Sequence, residues 1–389
     1  MNVEEMRSET PGCAHVAHLN NAGAGLMPSV VIAAVREQLD LEAQVGGYEA
    51  AEQSADAIAS AYDAVGELTG VGASQVAFTE NATASYVQAL SSIQFERGDV
   101  LLTTRNDYVS NQIQHLSLRE RLGVNVVRVP DLPEGGVDPD AARALIQSER
   151  PRLVCVTHVP TNSGLVQDVR AVGAACREYD VTFLVDACQS VGQIPLDLDE
   201  IGADFLSATA RKYLRGPRGA GFLSVSQRVL DAGLLPLYPD LRSASWVSAD
   251  SIEPASGARR FESWEFAWAL VLGTGAAARY ALNLGVEEIN ARVCGLAETL
   301  REGLSGIEGA TVLDRGVELC GIVTVWFAGR DPQDLVIRLR EAGVNAWSQT
   351  RSDAVLDYDE KGVPGALRLS PHAYNTDEEI KRALSILSP

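Results

Sequence analysis

The 389-residue chain is 46% hydrophobic and 22% charged, which gives it the length and apolar content for two or perhaps three domains with large cores. Its 52 Asp+Glu against 32 Lys+Arg leave a formal net charge of -20, so a general surface for DNA or RNA would work against repulsion, and no nucleic-acid partner is expected. No window approaches the ~18 uninterrupted apolar residues of a membrane span. The start "MNVEEMRSET" is acidic with no apolar block behind it, so a cytoplasmic protein with no membrane association is expected.

The six cysteines, Cys13, Cys155, Cys176, Cys188, Cys294 and Cys320, are scattered with no CxxC pair, and the five histidines are equally dispersed. Neither a disulfide framework nor a metal site is expected. From about residue 75 to 225, seven short β-rich runs alternate with helix-length stretches: "QVAFT", "DVLLTT", "VNVVRV", "RLVCVTHV", "VTFLVDA", "ADFLSA" and "GAGFLSV". Continuous apolar strands at this spacing predict an α/β domain with a mostly parallel seven-stranded sheet covered on both faces. The Pro-, Ser- and Trp-rich stretch that follows, to about residue 268, reads as an irregular excursion. A long helical stretch comes next, then the strand "GIVTVWF" and a final unit ending in "NTDEEIKRALSIL", which together predict a smaller C-terminal α/β domain.

Ligands of open α/β sheets collect beyond the C-terminal ends of the strands. "QVAFTENATASYVQAL" passes from strand to helix through Asn81, Ala82 and Thr83, offering free N–H groups and a hydroxyl to an anion, or simply a helix cap. "VTFLVDACQS" ends an apolar strand with Asp186, a cap or the partner of a buried cation, and Gln189 follows. "VTHVPTNSGLV" brings His158, Thr161 and Asn162 to another strand end, where a turn is the simpler reading. "SATARKYLRGPRGAGF" holds Lys212, one of very few lysines, beside Arg211, Arg215 and Arg218. Neighbouring cations and burial depress a lysine's pKa and make it a nucleophile toward a carbonyl. A phosphate cup, then an Asp, then a Lys about two dozen residues later is what pyridoxal 5'-phosphate requires: a helix start for its phosphate, a carboxylate for its ring nitrogen and an amine for its aldehyde.

On these motifs the chain resembles the class V aminotransferase family of fold-type I pyridoxal-phosphate enzymes, over nearly its whole length. The resemblance implies a large cofactor-binding domain over 27–270, a small domain over 271–389, and an N-terminal segment, 1–26, that reaches the small domain and the substrate mouth. It makes Lys212 the covalent lysine and catalytic base, Asp186 the partner of the ring nitrogen and Gln189 a donor to the phenolic oxygen. Ala82, Thr83 and Thr209 would hold the phosphate, Tyr108 would stack on the ring, and Asn162 and Arg211 would complete the cofactor site. Arg368, in "LRLSPHAYNTDEEI", would clamp a substrate carboxylate, with Asn21 and Tyr48 at the mouth. An amino-acid substrate and a homodimer follow from the same resemblance. Arg215 and Arg218 either neutralise an anion or face solvent.

Two departures bear on the reaction. The segment "GVNAWSQTRSDAVLDYDEKGVPGALR" holds no cysteine, so it lacks the thiol nucleophile that desulfurases of the family carry there. The threonine that a partner subunit donates to the phosphate is missing from "RRFESWEFAW", where Glu265 stands near its position. The motifs are most similar to the branch of hercynylcysteine sulfoxide lyases, which implies C–S bond cleavage by β-elimination, with an epimerase or aminotransferase as the alternative.

Overall fold

The computed structural model describes residues 1–388. A short strand near the N-terminus, β1 (Ala17–His18), is followed by seven strands that form one sheet: β2 (Val76–Thr79), β3 (Val100–Thr103), β4 (Asn125–Arg128), β5 (Leu153–Thr157), β6 (Phe183–Asp186), β7 (Phe205–Thr209) and β8 (Gly221–Val225). Each coincides with one of the seven runs picked out by composition. Their order is β2-β8-β7-β6-β5-β3-β4, parallel except for β8, which runs antiparallel to both neighbours. Strands β2 and β5 to β8 are buried throughout, as expected when helices cover both faces of a sheet.

The chain leaves β3 toward β4 on one side and returns to β5 on the other, so the connections diverge at the C-terminal ends of β3 and β5. Such a switch point opens a crevice where the backbone cannot fill space. The segment read as an irregular excursion contains regular structure: an antiparallel hairpin of β9 (Ala244–Ser248) and β10 (Ser251–Pro254), almost wholly exposed. Its alternation is weak because neither face is buried, so no period-2 signal exists to read.

The long helical stretch is two helices, Trp268–Leu284 and Val286–Ser305, broken at Gly285, whose φ of 82° suits glycine. The smaller sheet comprises β11 (Ala310–Val312), β12 (Val323–Phe327), β14 (Trp347–Thr350) and β15 (Gly365–Leu369) in the order β11-β12-β15-β14, while β13 (Val344–Asn345) pairs with β1. Its own core, which includes Leu296, Leu300, Val325, Leu339 and Ile380, is distinct from the larger one. A boundary at residue 270 cuts through the helix Trp268–Leu284, whose buried Val271, Ala277 and Ala278 belong to the larger core. The N-terminal segment joins both, with Met6 and Ala22 in the larger core and Ala17 and Leu19 in the smaller. No described helix is long and apolar enough to cross a membrane.

Candidate active site

Lys212 lies three residues beyond the end of β7 and is 6% exposed. Its Nζ sits 5.7 Å from the centre of the Tyr108 ring and has no ion-pair or hydrogen-bond partner among the described residues. Burial pushes its pKa down to about 8, with the Arg211 and Arg368 cations adding to the effect and Asp186 among the groups opposing it. A buried, unpaired, partly neutral amine is costly unless it reacts or binds something.

Asp186 is the last residue of β6 and is buried. One carboxylate oxygen accepts from the Cys188 N–H at 3.0 Å and the other from Asn111 Nδ2 at 3.0 Å. The Asn111 amide group also donates to Asp107 at 3.0 Å, and Asp107 in turn accepts from Thr103 and Thr157, the last residues of β3 and β5, and from the Tyr108 N–H. This buried network fixes the backbone of Tyr108 and the orientation of Asp186 together. Nothing in the sequence marked Asn111, Asp107 or Thr157: the first two share one run, the third lies in another, and they meet only because β3 and β5 are neighbours.

The helix Ala82–Ser91 is capped by Asn81, whose side chain accepts from the Ala84 N–H at 3.0 Å. The helix cap is therefore observed: it satisfies Ala84 and leaves the N–H groups of Ala82 and Thr83 without a protein partner among the described residues, as an anion site there would need. Gly221 of β8 packs against this helix start: a Cβ there would lie 2.5 Å from Asn81 C and 2.7 Å from Ala82 N. Thr209 is buried and donates to Ala220 O at 3.3 Å, and the Arg211 guanidinium donates to Gly23 O. The Gln189 amide group donates to Ala22 O and to Thr161 Oγ1, and its buried Oε1 has no partner.

Arg368, on β15, enters from the smaller sheet and is 4% exposed. Nη1 donates to Thr161 O at 3.0 Å and Thr161 Oγ1 at 2.6 Å, and Nη2 donates to Asn20 Oδ1 at 3.3 Å. The buried Nε–H has no partner among the described residues, so the guanidinium edge carrying Nε and the second Nη2 hydrogen is left for a ligand. Burial lowers its pKa to about 10, still a cation at neutral pH.

Three expected residues sit elsewhere. Asn21 is fully buried in a structural role, donating to Ser370 O at 2.8 Å and accepting from the Tyr374 hydroxyl at 2.5 Å, and it is the preceding Asn20 that meets Arg368. Tyr48 is 75% exposed on the short helix Gly47–Gln53 and touches none of these groups within the chain. Asn162 is buried, but its amide group donates to Asp357 of the small domain at 2.8 Å. The two flanking arginines part company: Arg218 is exposed, whereas Arg215 is 2% exposed. Arg215 donates to Leu26 O and Thr10 Oγ1 and lies 4.8 Å over the Tyr374 ring, so it ties down the N-terminal segment and faces no solvent. Glu265 is exposed, as is Trp264.

The chemistry of these groups suits pyridoxal 5'-phosphate. An unpaired buried amine, a buried carboxylate held in place and two free N–H groups at a helix start match the aldehyde, ring nitrogen and phosphate of that one molecule, whereas the Gln189 amide hydrogens are committed to Ala22 and Thr161 and leave an acceptor in place of the donor expected toward the phenolic oxygen.

The family model for class V aminotransferases matches residues 17–383. The chain is 29% identical over 388 residues to a probable cysteine desulfurase of Methanothermobacter thermautotrophicus, covering 98% of this chain and 96% of that one. It is 28% identical over 372 residues to a probable hercynylcysteine sulfoxide lyase of Mycobacterium tuberculosis, covering 93% and 87%. Among solved structures, the apo cysteine desulfurase of Thermococcus onnurineus superposes with a TM-score of 0.91 at 24% identity, covering 100% and 98%. The chain belongs to the class V aminotransferase family, and its cofactor is pyridoxal 5'-phosphate.

Proposed function

We propose that this member of the class V aminotransferase family is a lyase that breaks the Cβ–S bond of a cysteine conjugate or cysteine sulfoxide by β-elimination. The observation that carries the amino-acid part of the reading is the free edge of Arg368, a buried bidentate donor close enough to the Lys212 amine for its charge to act on it. A carboxylate held by two parallel bonds fixes the Cα substituents relative to Lys212, and orientation of this kind is a large part of catalysis.

Bound here, the cofactor supplies an aldehyde for covalent capture of the amine and a ring that withdraws electrons from Cα. Asp186, oriented by Asn111, holds the proton on the ring nitrogen. Lys212, with its pKa near 8, takes the Cα proton onto Nζ. The Cα–H electrons form the Cα=Cβ bond, and the Cβ–S bond breaks with its pair leaving on sulfur. The released aminoacrylate hydrolyses with one water to pyruvate and ammonia, so no external oxidant or amino acceptor is needed. What supports elimination over persulfide formation is the segment 344–368, which carries no thiol to attack the substrate sulfur. The lyase named among the relatives agrees with this reading, and the desulfurase also acts on a cysteine sulfur.

The test is a panel of S-substituted cysteines, with and without a keto acid, run on the wild type and Arg368→Lys. Pyruvate is expected in equal amount to the sulfur product without a keto acid. Arg368→Lys keeps the charge but loses the fork, so kcat/KM should fall by roughly 10²-fold with the cofactor absorbance unchanged. Turnover only with a keto acid would instead indicate transamination, and α-proton exchange without net product would indicate epimerisation.

A further inference from the structure

Beside the site lies a cavity of about 270 Å³ with no role in the chemistry so far described. It is bounded by the helix Val109–Leu122 on one side and residues 352–357 on the other. Its size is below the roughly 300–1,000 Å³ of pockets that enclose whole drug-sized ligands, so it suits one part of a substrate. Three parts of its lining neighbour residues of the site. Asp107 and Val109 flank Tyr108, which faces Lys212, and Asn162 follows Thr161, which accepts from Arg368. Asp353 lies close enough to Arg368 to act on its charge. The cavity thus lies next to the elements that would hold a substrate with its carboxylate on Arg368 and its Cα at Lys212.

The walls are chemically mixed in a definite way. Val109, Ile113, Leu116, Val355 and Leu356 supply an apolar lining. Most of the charges are already committed. Asp357 is held by Asn162 and by Lys361 at 2.8 Å, Asp353 accepts from Thr350, and Asp107 is consumed by its network. Arg105 is paired with Glu360 at 2.8 Å. Arg128 is different: one Nη donates to Gln112 at 2.8 Å, while its buried Nε–H has no partner among the described residues. Asn106, 8% exposed, likewise keeps an unpartnered Oδ1. Apolar walls with an unsatisfied guanidinium donor recognise a hydrocarbon or ring body ending in an anionic acceptor.

We infer that this cavity is the subsite for the substituent on the substrate's sulfur, and that it selects an apolar, ring-sized group carrying a terminal carboxylate near Arg128. The inference rests on the lyase reading for its chemistry, but its geometry requires only that an amino acid occupy the Arg368–Lys212 site.

The experiment compares S-methylcysteine, S-benzylcysteine and S-(4-carboxybenzyl)cysteine on the holoenzyme, together with their α-methyl analogues, which lack the α-proton and bind without turnover. Affinities of the analogues are read by calorimetry, and kcat/KM is read for the parent compounds. The carboxybenzyl compound is expected to exceed the methyl one at least tenfold in both measures. Arg128→Gln should cut the advantage of carboxybenzyl over benzyl about tenfold. Ile113→Trp, at a position 62% exposed and so tolerant of substitution, should cut the advantage of both ring compounds over methyl. Analogue affinities with the same ranking in the wild type and both variants, or with no preference for the ring compounds, would overturn the subsite. Absence of pyruvate from every parent compound while the analogue ranking holds would overturn the lyase reading and leave the subsite standing.

Discussion

Lys212 shows how a single residue's surroundings set its reactivity. Only the neutral amine can attack the cofactor aldehyde or accept a Cα proton, and an ordinary lysine with a pKa near ~10.4 offers less than about one neutral amine in a thousand at pH 7. Burial moves Lys212 to about 8, which raises that share to roughly a tenth. The rate of pyridoxal-phosphate uptake by cofactor-free protein should then rise with pH and reach half its plateau near 8, followed by stopped-flow absorbance. Arg211→Gln removes a like charge and should shift the midpoint upward. A rate still climbing about tenfold per unit through pH 9, with no plateau, would mean that the amine is solvated. Lys212 and Asp186 were legible in the sequence because Asp186 ends an apolar strand and Lys212 closely follows one, where a charged residue needs a reason. Asn20 was missed by one position: Asn20 and Asn21 look equivalent in "LNNAGAG", and only the bridge pairing Asn20 with Ser370 turns one toward Arg368 and buries the other.

At the scale of elements, the phosphate end of the site depends on how closely the helix Ala82–Ser91 approaches β8. Gly221 permits that approach with backbone atoms as neighbours, and backbone cannot rotate aside as a side chain can. Gly221→Ala should push the helix start away, costing about 1–3 kcal/mol of stability by overpacking and weakening cofactor affinity at least tenfold by equilibrium dialysis. Gly295, inside the helix Val286–Ser305, is the contrasting case, since a Cβ there meets nothing within 4 Å. Gly295→Ala should stabilise the protein by roughly 0.5–1 kcal/mol in urea unfolding, with cofactor affinity unchanged. Equal effects of the two substitutions on cofactor binding would show that the helix start does not hold the phosphate. The seven sheet strands were legible because burial on both faces writes an unbroken apolar run. The hairpin β9–β10 was not, because exposed strands carry no such pattern. The network through Asn111 was invisible for a related reason: a polar residue in the first turn of a helix is unremarkable until the neighbouring strand ends are known.

Across the whole molecule, the two cores are stitched along a seam made by the N-terminal segment and by residues that neighbour the site in the chain. The N-terminal segment contributes to both cores, and Arg215 anchors it through Thr10 and Leu26. On the other side of the seam His372 stacks between Tyr213 and Tyr374, with centroids 5.8 and 5.1 Å away. Its Nδ1 accepts the Ala373 N–H at 2.8 Å, so the ring is neutral and Nε2 donates to Tyr213 O at 2.9 Å. Adding a proton would set Nδ1–H against that N–H in a buried place beside the Arg215 cation, and the pKa is accordingly depressed, chiefly by burial, to about 3. The sign follows. Above the unfolded value of about 6.5 neither state binds this proton; below it the unfolded chain does and the folded one does not, so stability is lost as pH falls from 6.5 toward 3. His158, depressed to about 4, adds in the same direction, while Asp131, raised to about 6, opposes it, so the wild-type slope alone is not diagnostic. The difference between the wild type and His372→Gln isolates the term, because the variant has no proton to exclude. The wild type's margin over that variant in urea unfolding should shrink by up to about 1.4 kcal/mol per pH unit between 6.5 and 4.5. A margin that does not change with pH would mean that His372 accepts its proton as freely in the folded state as in the unfolded one, and that the seam is open to water.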